Sequence, residues 1–202
     1  MTGYNIVNLS DIVNHLGEVD TKKILDGFSC PLNADVEYFL KHKAIEFSRQ
    51  SLSKTHLVYT SYKGEPVLIG YFTLCSKVIT IKKNILSRTM QKRIRKFSQN
   101  NSDKTELLVT ANLIAQIGKN FSDEYDSLIT GDELLQIALN VLASVQGMVG
   151  GKIVYLECED NEKLISYYSK NGFCNFGRRN LDIDEKSRFK SNYLVQMLKY
   201  ID

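Results

Sequence analysis

The sequence predicts a single α/β domain, residues 1–202, with helices flanking a mixed central sheet. Three observations lead to that class. A chain of 202 residues with 43% hydrophobic and 24% charged residues has the make-up of an ordinary globular protein, large enough to bury its own core. Its hydrophobic periods run as a hairpin followed by strand–helix–strand–helix–strand, the order of a mixed sheet with covering helices. No internal repeat, low-complexity segment or linker divides it, and there are just two prolines.

The elements follow in order. Tyr4–Leu9 reads as a short first strand and Asp20–Gly27 as a short helix stopped by Gly27. Asn33 or Asp35 caps a helix running to about Arg49, with Val36, Phe39, Leu40, Ala44 and Phe47 on one face. Thr55–Tyr62 and Val67–Cys75 are rich in strand formers and separated by the turn signal KGEP, a hairpin. Ser87–Gln99 is an amphipathic helix with Met90, Ile94 and Phe97 inward and Arg88, Lys92 and Arg95 outward. After the loop NNSDK comes a strand, Glu106–Gln116. Thr130 and Glu133 make a capping box ahead of a helix carrying Leu134, Ile137, Ala138, Val141, Leu142 and Val145. Gly147, Gly150 and Gly151 end it. Lys152–Glu157 is a strand, Asn161–Lys170 a helix capped by Gly172, and Phe173–Phe176 and Asn192–Leu198 are the last strands.

Charge is nearly balanced, 26 Lys and Arg against 23 Asp and Glu for a net +3, yet unevenly spread. Lys77–Lys96 holds eight basic residues and no acidic one, whereas Asn120–Gly151 has no Lys or Arg and clusters Asp123, Glu124, Asp126, Asp132 and Glu133. A basic run is in general a solvated helix face; it gains meaning when the rest of the chain points to a polyanionic substrate.

Several chemistries are excluded. There is no Walker loop and no GxGxxG after a strand, so the NTPase and Rossmann readings fail. His15, His42 and His56 are isolated, no serine sits in GxSxG, and Cys30, Cys75, Cys158 and Cys174 form no CxxC. No metal site is expected. The longest apolar stretch, around Val67–Leu74, is too short to span a membrane, and the start lacks a secretory pattern, so a cytoplasmic, reduced protein is expected.

What remains is Leu107–Phe176, read as ELLVTANLIAQIGKN, then ITGDELLQIALNVL, GGKIVYLECED and NEKLISYYSKNGF. This stretch resembles the cofactor core of the GCN5-related N-acetyltransferase (GNAT) superfamily, above all in the tail N-x-x-x-I-x-Y-Y-x-x-x-G-F from Asn161 to Phe173. The resemblance implies that two parallel strands, Glu106–Gln116 and Lys152–Glu157, splay apart and that acetyl-CoA is the cosubstrate. Backbone groups of Leu113, Ile114, Ala115 and Gln116 would bond the pantetheine arm. Amides of Leu128, Ile129, Thr130, Gly131 and Asp132 would hold the diphosphate at a helix N-terminus, where free N–H groups and the helix dipole favour anions, and Asn161 is assigned to the cofactor as well. The family's Q/R-x-x-G-x-G/A, aligned on Gly131, is matched at that position alone; Asp126 and Ile129 stand at the others.

The same resemblance makes Tyr168 the group beside the thioester sulfur. As an ordinary packing aromatic it would need no such role. Tyrosine titrates near pH 10 and an alkyl thiol near 8.5, so complete proton transfer is uphill by about 2 kcal/mol and hydrogen-bond donation fits better. Glu157, with Glu159, can relay a proton from the acceptor amine, or can simply be a strand-end carboxylate.

A second similarity covers the first half. Phe28, Cys30, Phe39, Leu40, Lys41, Ala44, Gly70, Tyr71, Phe72 and Leu74 resemble a GNAT subgroup containing toxins that acetylate aminoacyl-tRNA. That subgroup implies a tRNA acceptor docked on Arg88, Lys92 and Arg95, and leaves room for an antitoxin-type protein partner and a homodimer. An α-amine near pKa 8 needs less help from a base than a lysine near 10.4. A peptide or small-molecule amine as acceptor, and a non-catalytic acyl-CoA-binding module, stay open at this stage.

Overall fold

The computed structural model describes residues 3–99, 103–183, 185–189 and 191–201. The chain forms seven helices, α1 (Leu9–Leu16), α2 (Glu18–Asp26), α3 (Ala34–His42), α4 (Ala44–Arg49), α5 (Arg88–Arg95), α6 (Gly131–Val149) and α7 (Glu162–Lys170) among the described residues. Its strands there are β1 (Asn5–Asn8), β2 (Lys54–Tyr62), β3 (Glu65–Lys82), β4 (Ser98–Gln99), β5 (Glu106–Lys119), β6 (Ile153–Cys158), β7 (Cys174–Asn180) and β8 (Tyr193–Tyr200). The sheet order is β1-β2-β3-β5-β6-β8-β7, with β4 added beside β5. Pairing is antiparallel except between β5 and β6, so the sheet is mixed and helices flank it, as the sequence predicts. No single helix among the described residues is long and apolar enough to cross a membrane.

The chain divides into two compact units, Met1–Cys75 with Ala115–Asn140, and Ser76–Ile114 with Val141–Asp202. The first carries 8 Lys and Arg against 13 Asp and Glu, net −5; the second carries 18 against 10, net +8.

In the acidic unit, β1 and β2 pair antiparallel, and β2 turns into β3 through Lys63 and Gly64. Both turn residues have positive φ, 52° and 88°, the twist that a two-residue hairpin loop needs and glycine supplies. Leu9, Leu25, Phe28, Leu40, Leu57 and Tyr71 are fully buried together. Tyr71 is seated by an edge-to-face contact with Phe28, ring centroids 5.2 Å apart, and donates its hydroxyl to the Val36 carbonyl at 2.5 Å. Gly118 is required here: a Cβ would stand 2.5 Å from Val36 Cγ1. In the basic unit, β6 pairs with β8 and β8 with β7. Its core gathers Ile79, Ile81, Ile94, Val109, Ile153 and Leu198.

Four local expectations need correction. Leu9–Leu16 is helical, capped by Asn8, whose side chain accepts from the Ser10 amide; Leu9, Ile12, Val13 and Leu16 already have helical spacing. The helix expected to run unbroken to about Arg49 bends at Lys43, whose φ of −123° separates α3 from α4. In a straight helix, residues eight apart lie about 12 Å apart along the axis. The Phe39 and Phe47 rings instead meet edge to face at 5.4 Å, and that contact goes with the bend. The strand expected to end at Cys75 continues to Lys82, where Ile79 and Ile81 point inward and Val78, Thr80 and Lys82 outward. Finally, α5 stops at Arg95, because Ser98 and Gln99 pair with Val109 and Leu108 of β5. Part of the expected NNSDK loop lies outside the described residues.

Candidate active site and basic surface

The tail motif folds as predicted. Asn161 caps α7, its side chain accepting from the Lys163 amide, so its carboxamide oxygen is used in starting the helix. Two residues short of the helix end sits Tyr168. Gly172, with φ of 84°, turns the chain so that the Phe173 amide donates to the Tyr168 carbonyl at 3.0 Å. The Tyr168 ring is boxed edge to face by Tyr167 at 5.0 Å and Phe173 at 5.9 Å. Burial, with the neighbouring Cys158 and Tyr167 adding to it, holds its hydroxyl well above the ordinary tyrosine range. Among the described residues that hydroxyl has no hydrogen-bond partner. A phenol so placed is neutral at any physiological pH, and it is a donor awaiting an acceptor.

Cys158 ends β6 and acts electrostatically on Tyr168. Burial, then Asp160 and Glu159, push it up to about 11, so it stays protonated and is a poor nucleophile. Glu157, one residue earlier, is committed. Arg179 Nε donates to one carboxylate oxygen at 2.6 Å and Gln196 Nε2 to the other at 2.9 Å. The same Arg179 grips Glu185 through two bonds of 2.8 and 3.0 Å. Glu185 and then Glu157 hold the guanidinium above its ordinary value. The carboxylate expected as a base is thus an ion-pair anchor for the segment after β7. Arg179 and Gln196 escaped sequence reasoning because strand alternation does not announce a partner 22 or 39 residues away.

The expected pantetheine-binding stretch straddles the two units. In the basic unit Leu113 lies opposite Tyr155 and Ile114 opposite Leu156 in parallel register. Ala115 and Gln116 belong to the acidic unit, where the Gln116 side chain donates to Asp35 at 2.8 Å.

The expected diphosphate loop lies in the acidic unit. Ile129 is buried and extended, and Gly131 opens α6. The capping box forms: Glu133 accepts from the Thr130 amide at 2.8 Å and from its hydroxyl at 2.7 Å, and the Thr130 hydroxyl accepts from the Glu133 amide at 3.2 Å. Tyr4 adds a bond to the other Glu133 oxygen at 2.9 Å. The Thr130 amide, expected to hold phosphate, is therefore spent on Glu133, and these bonds lower the Glu133 pKa so that it stays charged. A compensating cation comes from a position the motif did not mark. Lys119 Nζ donates to the Asp126 carbonyl at 2.8 Å, next to the position where the family's motif carries Gln or Arg. Leu128 is half-buried, and Asp132 is exposed in the first turn of α6.

The basic helix α5 is capped by Ser87, which accepts from the Met90 amide at 3.2 Å. Ile94 is fully buried while Arg88, Lys92 and Arg95 are exposed. None of these three has a carboxylate partner among the described residues. Like charges three and four apart cost helix stability, so the anchor of α5 is its apolar face and cap. Among the described residues no group of His, Cys, Asp and Glu could hold a metal ion.

Neither a protein-family model nor a curated protein matches the chain by sequence. Solved structures do match its fold. AtaT complexed with acetyl-methionyl-tRNAfMet superposes with a TM-score of 0.59 at 19% identity, over 96% of this chain and 94% of that one. A KacT in which one tyrosine is replaced by phenylalanine gives 0.60 at 19% identity, over 95% and 93%. An AtaT tyrosine-to-phenylalanine mutant bound to acetyl-CoA and the C-terminus of the antitoxin AtaR gives 0.57 at 17%, over 95% and 91%. Over nearly its whole length, the chain shares the fold of these structures.

Proposed function

We propose that this protein is an N-acetyltransferase that moves an acetyl group from acetyl-CoA to the α-amine of an aminoacyl-tRNA. The observation that carries the reading is Tyr168: a neutral, half-buried phenol at the end of the N-x-x-x-I-x-Y-Y helix, in a fold shared with toxins bound to acetyl-CoA and acetyl-methionyl-tRNA. Acetyl-CoA suits the residues present. Gly131 opens a nineteen-residue helix whose first-turn amides favour an anion, and Lys119 adds the cation that the loop otherwise lacks.

The chemistry is a single displacement. The neutral amine nitrogen attacks the thioester carbonyl carbon, the carbon–sulfur bond breaks, and the amine's proton passes to water. Tyr168 donates a hydrogen bond to the departing sulfur, which leaves as thiolate. The upward shift of its hydroxyl widens the gap to a thiol beyond the about 2 kcal/mol of the unperturbed groups, so it stabilises the thiolate without surrendering its proton. Glu157 positions Arg179 and takes no proton. An α-amine near pKa 8 has a sizeable neutral fraction at neutral pH, which makes a dedicated base unnecessary. In this reading Arg88, Lys92 and Arg95 meet the tRNA backbone.

The test is transfer of label from radiolabelled acetyl-CoA to bulk charged tRNA at two salt concentrations. Label in the tRNA fraction that disappears with Tyr168→Phe and falls at high salt supports the reading. Label transferred instead to polyamine or peptide acceptors, insensitive to salt, gives the small-amine alternative. No transfer to any acceptor overturns the enzyme assignment.

A further inference from the structure

We propose that Lys152, Arg93 and Tyr200 form a second RNA-backbone contact, assembled by the fold from three distant parts of the basic unit. The proposal rests on the RNA-acceptor reading above and deepens it. Arg93 Cζ lies 5.2 Å and Lys152 Nζ 5.7 Å from the centroid of the Tyr200 ring. Phe97, just past α5, packs against the same ring at 6.1 Å, tying that helix to the sheet. Backbone pairing fixes the third member: Ile153 lies opposite Tyr200, and the Ile201 amide donates to the Lys152 carbonyl at 2.9 Å. The approach to Lys152 is made by Gly150 and Gly151 with φ of 80° and 88°, a pair of left-handed residues that glycine adopts without strain. The Gly150–Gly151 pair after α6 thus does more than stop the helix. It delivers a lysine to an aromatic ring that already carries an arginine.

Two cations on one ring repel each other, and the π face offsets this by about 0.5–1 kcal/mol per exposed contact. The arrangement resembles α5, where like charges at helical spacing also work against the fold. Both belong to a unit of net charge +8. A phosphate backbone, with its regularly spaced negative charges, fits a cationic surface of this kind. Tyr200 holds both side chains in place, so less side-chain freedom is lost when a phosphate arrives.

The test is binding of uncharged bulk tRNA by fluorescence anisotropy across a salt series. It compares wild type with Lys152→Ala, Tyr200→Leu, Arg88→Ala and, from the acidic unit, Lys23→Ala. Lys152→Ala is expected to flatten the slope of log affinity against log salt by about 0.7–0.9, the signature of one lost phosphate contact. Tyr200→Leu keeps both charges and so keeps the slope, but weakens binding about twofold to fivefold through loss of the ring's hold on them. Lys23→Ala is expected to change neither. Wild-type slope and affinity in Lys152→Ala, alongside a flattened slope in Arg88→Ala, overturn this second contact and leave the RNA reading standing. Wild-type protein that shows no salt-dependent tRNA binding overturns both.

Discussion

The two compact units differ in charge, one carrying −5 and the other +8, and in make-up, the acidic one richer in helix and the basic one in strand. In the acidic unit four of the eight basic side chains have local carboxylate partners: Lys22 pairs with Asp26, Lys23 with Asp20, Lys41 with Glu37 and Arg49 with Glu46. These pairs are three or four residues apart and belong to the helices themselves. In the basic unit, Arg88, Lys92 and Arg95 stand without carboxylates among the described residues, and Arg93 and Lys152 rest on an aromatic ring. Folding alone rewards the first pattern and not the second. The basic unit also pairs Arg178 and Arg179 with carboxylates, so the contrast lies in α5, whose charge the proposed function gives to a partner.

The sharpest way to break this comparison is at Tyr168, the proposed catalytic group in the basic unit. Tyr168→Phe keeps the packing against Tyr167 and Phe173 and removes the hydroxyl alone. Turnover is expected to fall about a hundredfold or more while acetyl-CoA affinity, assigned largely to the acidic unit, stays within about twofold. Steady-state kinetics beside equilibrium CoA binding read the two quantities separately. A parallel loss of both would mean that Tyr168 is a packing residue whose removal disturbs the fold.

The next effect belongs to the acidic unit and to stability. Gly118→Ala places a methyl 2.5 Å from Val36 Cγ1, a branched side chain with little rotameric freedom, and overpacking of this kind costs about 1–3 kcal/mol. Denaturant unfolding should show the loss. Adding Val36→Ala should recover part of it, so that the double variant is less destabilised than the two single changes together predict.

How much of this was legible beforehand depends on whether the interactions are local. The capping box of Thr130 and Glu133 and the Lys63–Gly64 turn involve residues within three positions of each other, and each forms as read; the Asn161 cap, equally local, stands where a cofactor contact is expected. The helix Leu9–Leu16 and the outer half of β3 escaped sequence reasoning although Leu9, Ile12, Val13 and Leu16, and the alternation through Ile79 and Ile81, carry the required periods. The bend at Lys43 was not legible, because it goes with a tertiary contact between Phe39 and Phe47. In the site the same division holds. Tyr168 was found through its motif. The capture of Glu157 by Arg179 and Gln196, and the Lys119–Asp126 bond, depend on which strands and loops become neighbours. A motif nominates a candidate group; the fold decides which nearby carboxylates remain available.

Charge itself offers the next test. Replacing Arg88, Lys92 and Arg95 together by alanine should flatten the salt dependence of tRNA binding by about two to three in slope, given about 0.7–0.9 per phosphate contact. The mirror change in the acidic unit, Asp123, Glu124 and Asp126 to their amides, should leave that slope unchanged. Equal effects from both would show that net charge steers the RNA and that no particular helix docks it.

The smallest effect concerns pH, and it again divides the units, because all three histidines lie in the acidic one. His56 stacks on Phe72 with ring centroids 5.0 Å apart, and its Nδ1 is buried without a hydrogen-bond partner among the described residues. Burial lowers its pKa from 6.5, against weaker upward pulls from the Lys54 backbone and from Asp11. In the unfolded chain the ring takes a proton near its ordinary value, whereas in the folded chain it does so at lower pH. The unfolded state therefore binds more protons in that interval, and stability is lost as pH falls from 6.5 toward the depressed value. Above 6.5 the contribution is fully present. His56→Phe preserves an aromatic stack on Phe72 and removes the titration. Its unfolding midpoint should change less than that of wild type between about pH 7.5 and about pH 5.5, a window above most carboxylate titrations. An identical pH dependence in the two proteins would show that His56 gains its proton as readily folded as unfolded, and would remove the acid sensitivity assigned here to the acidic unit.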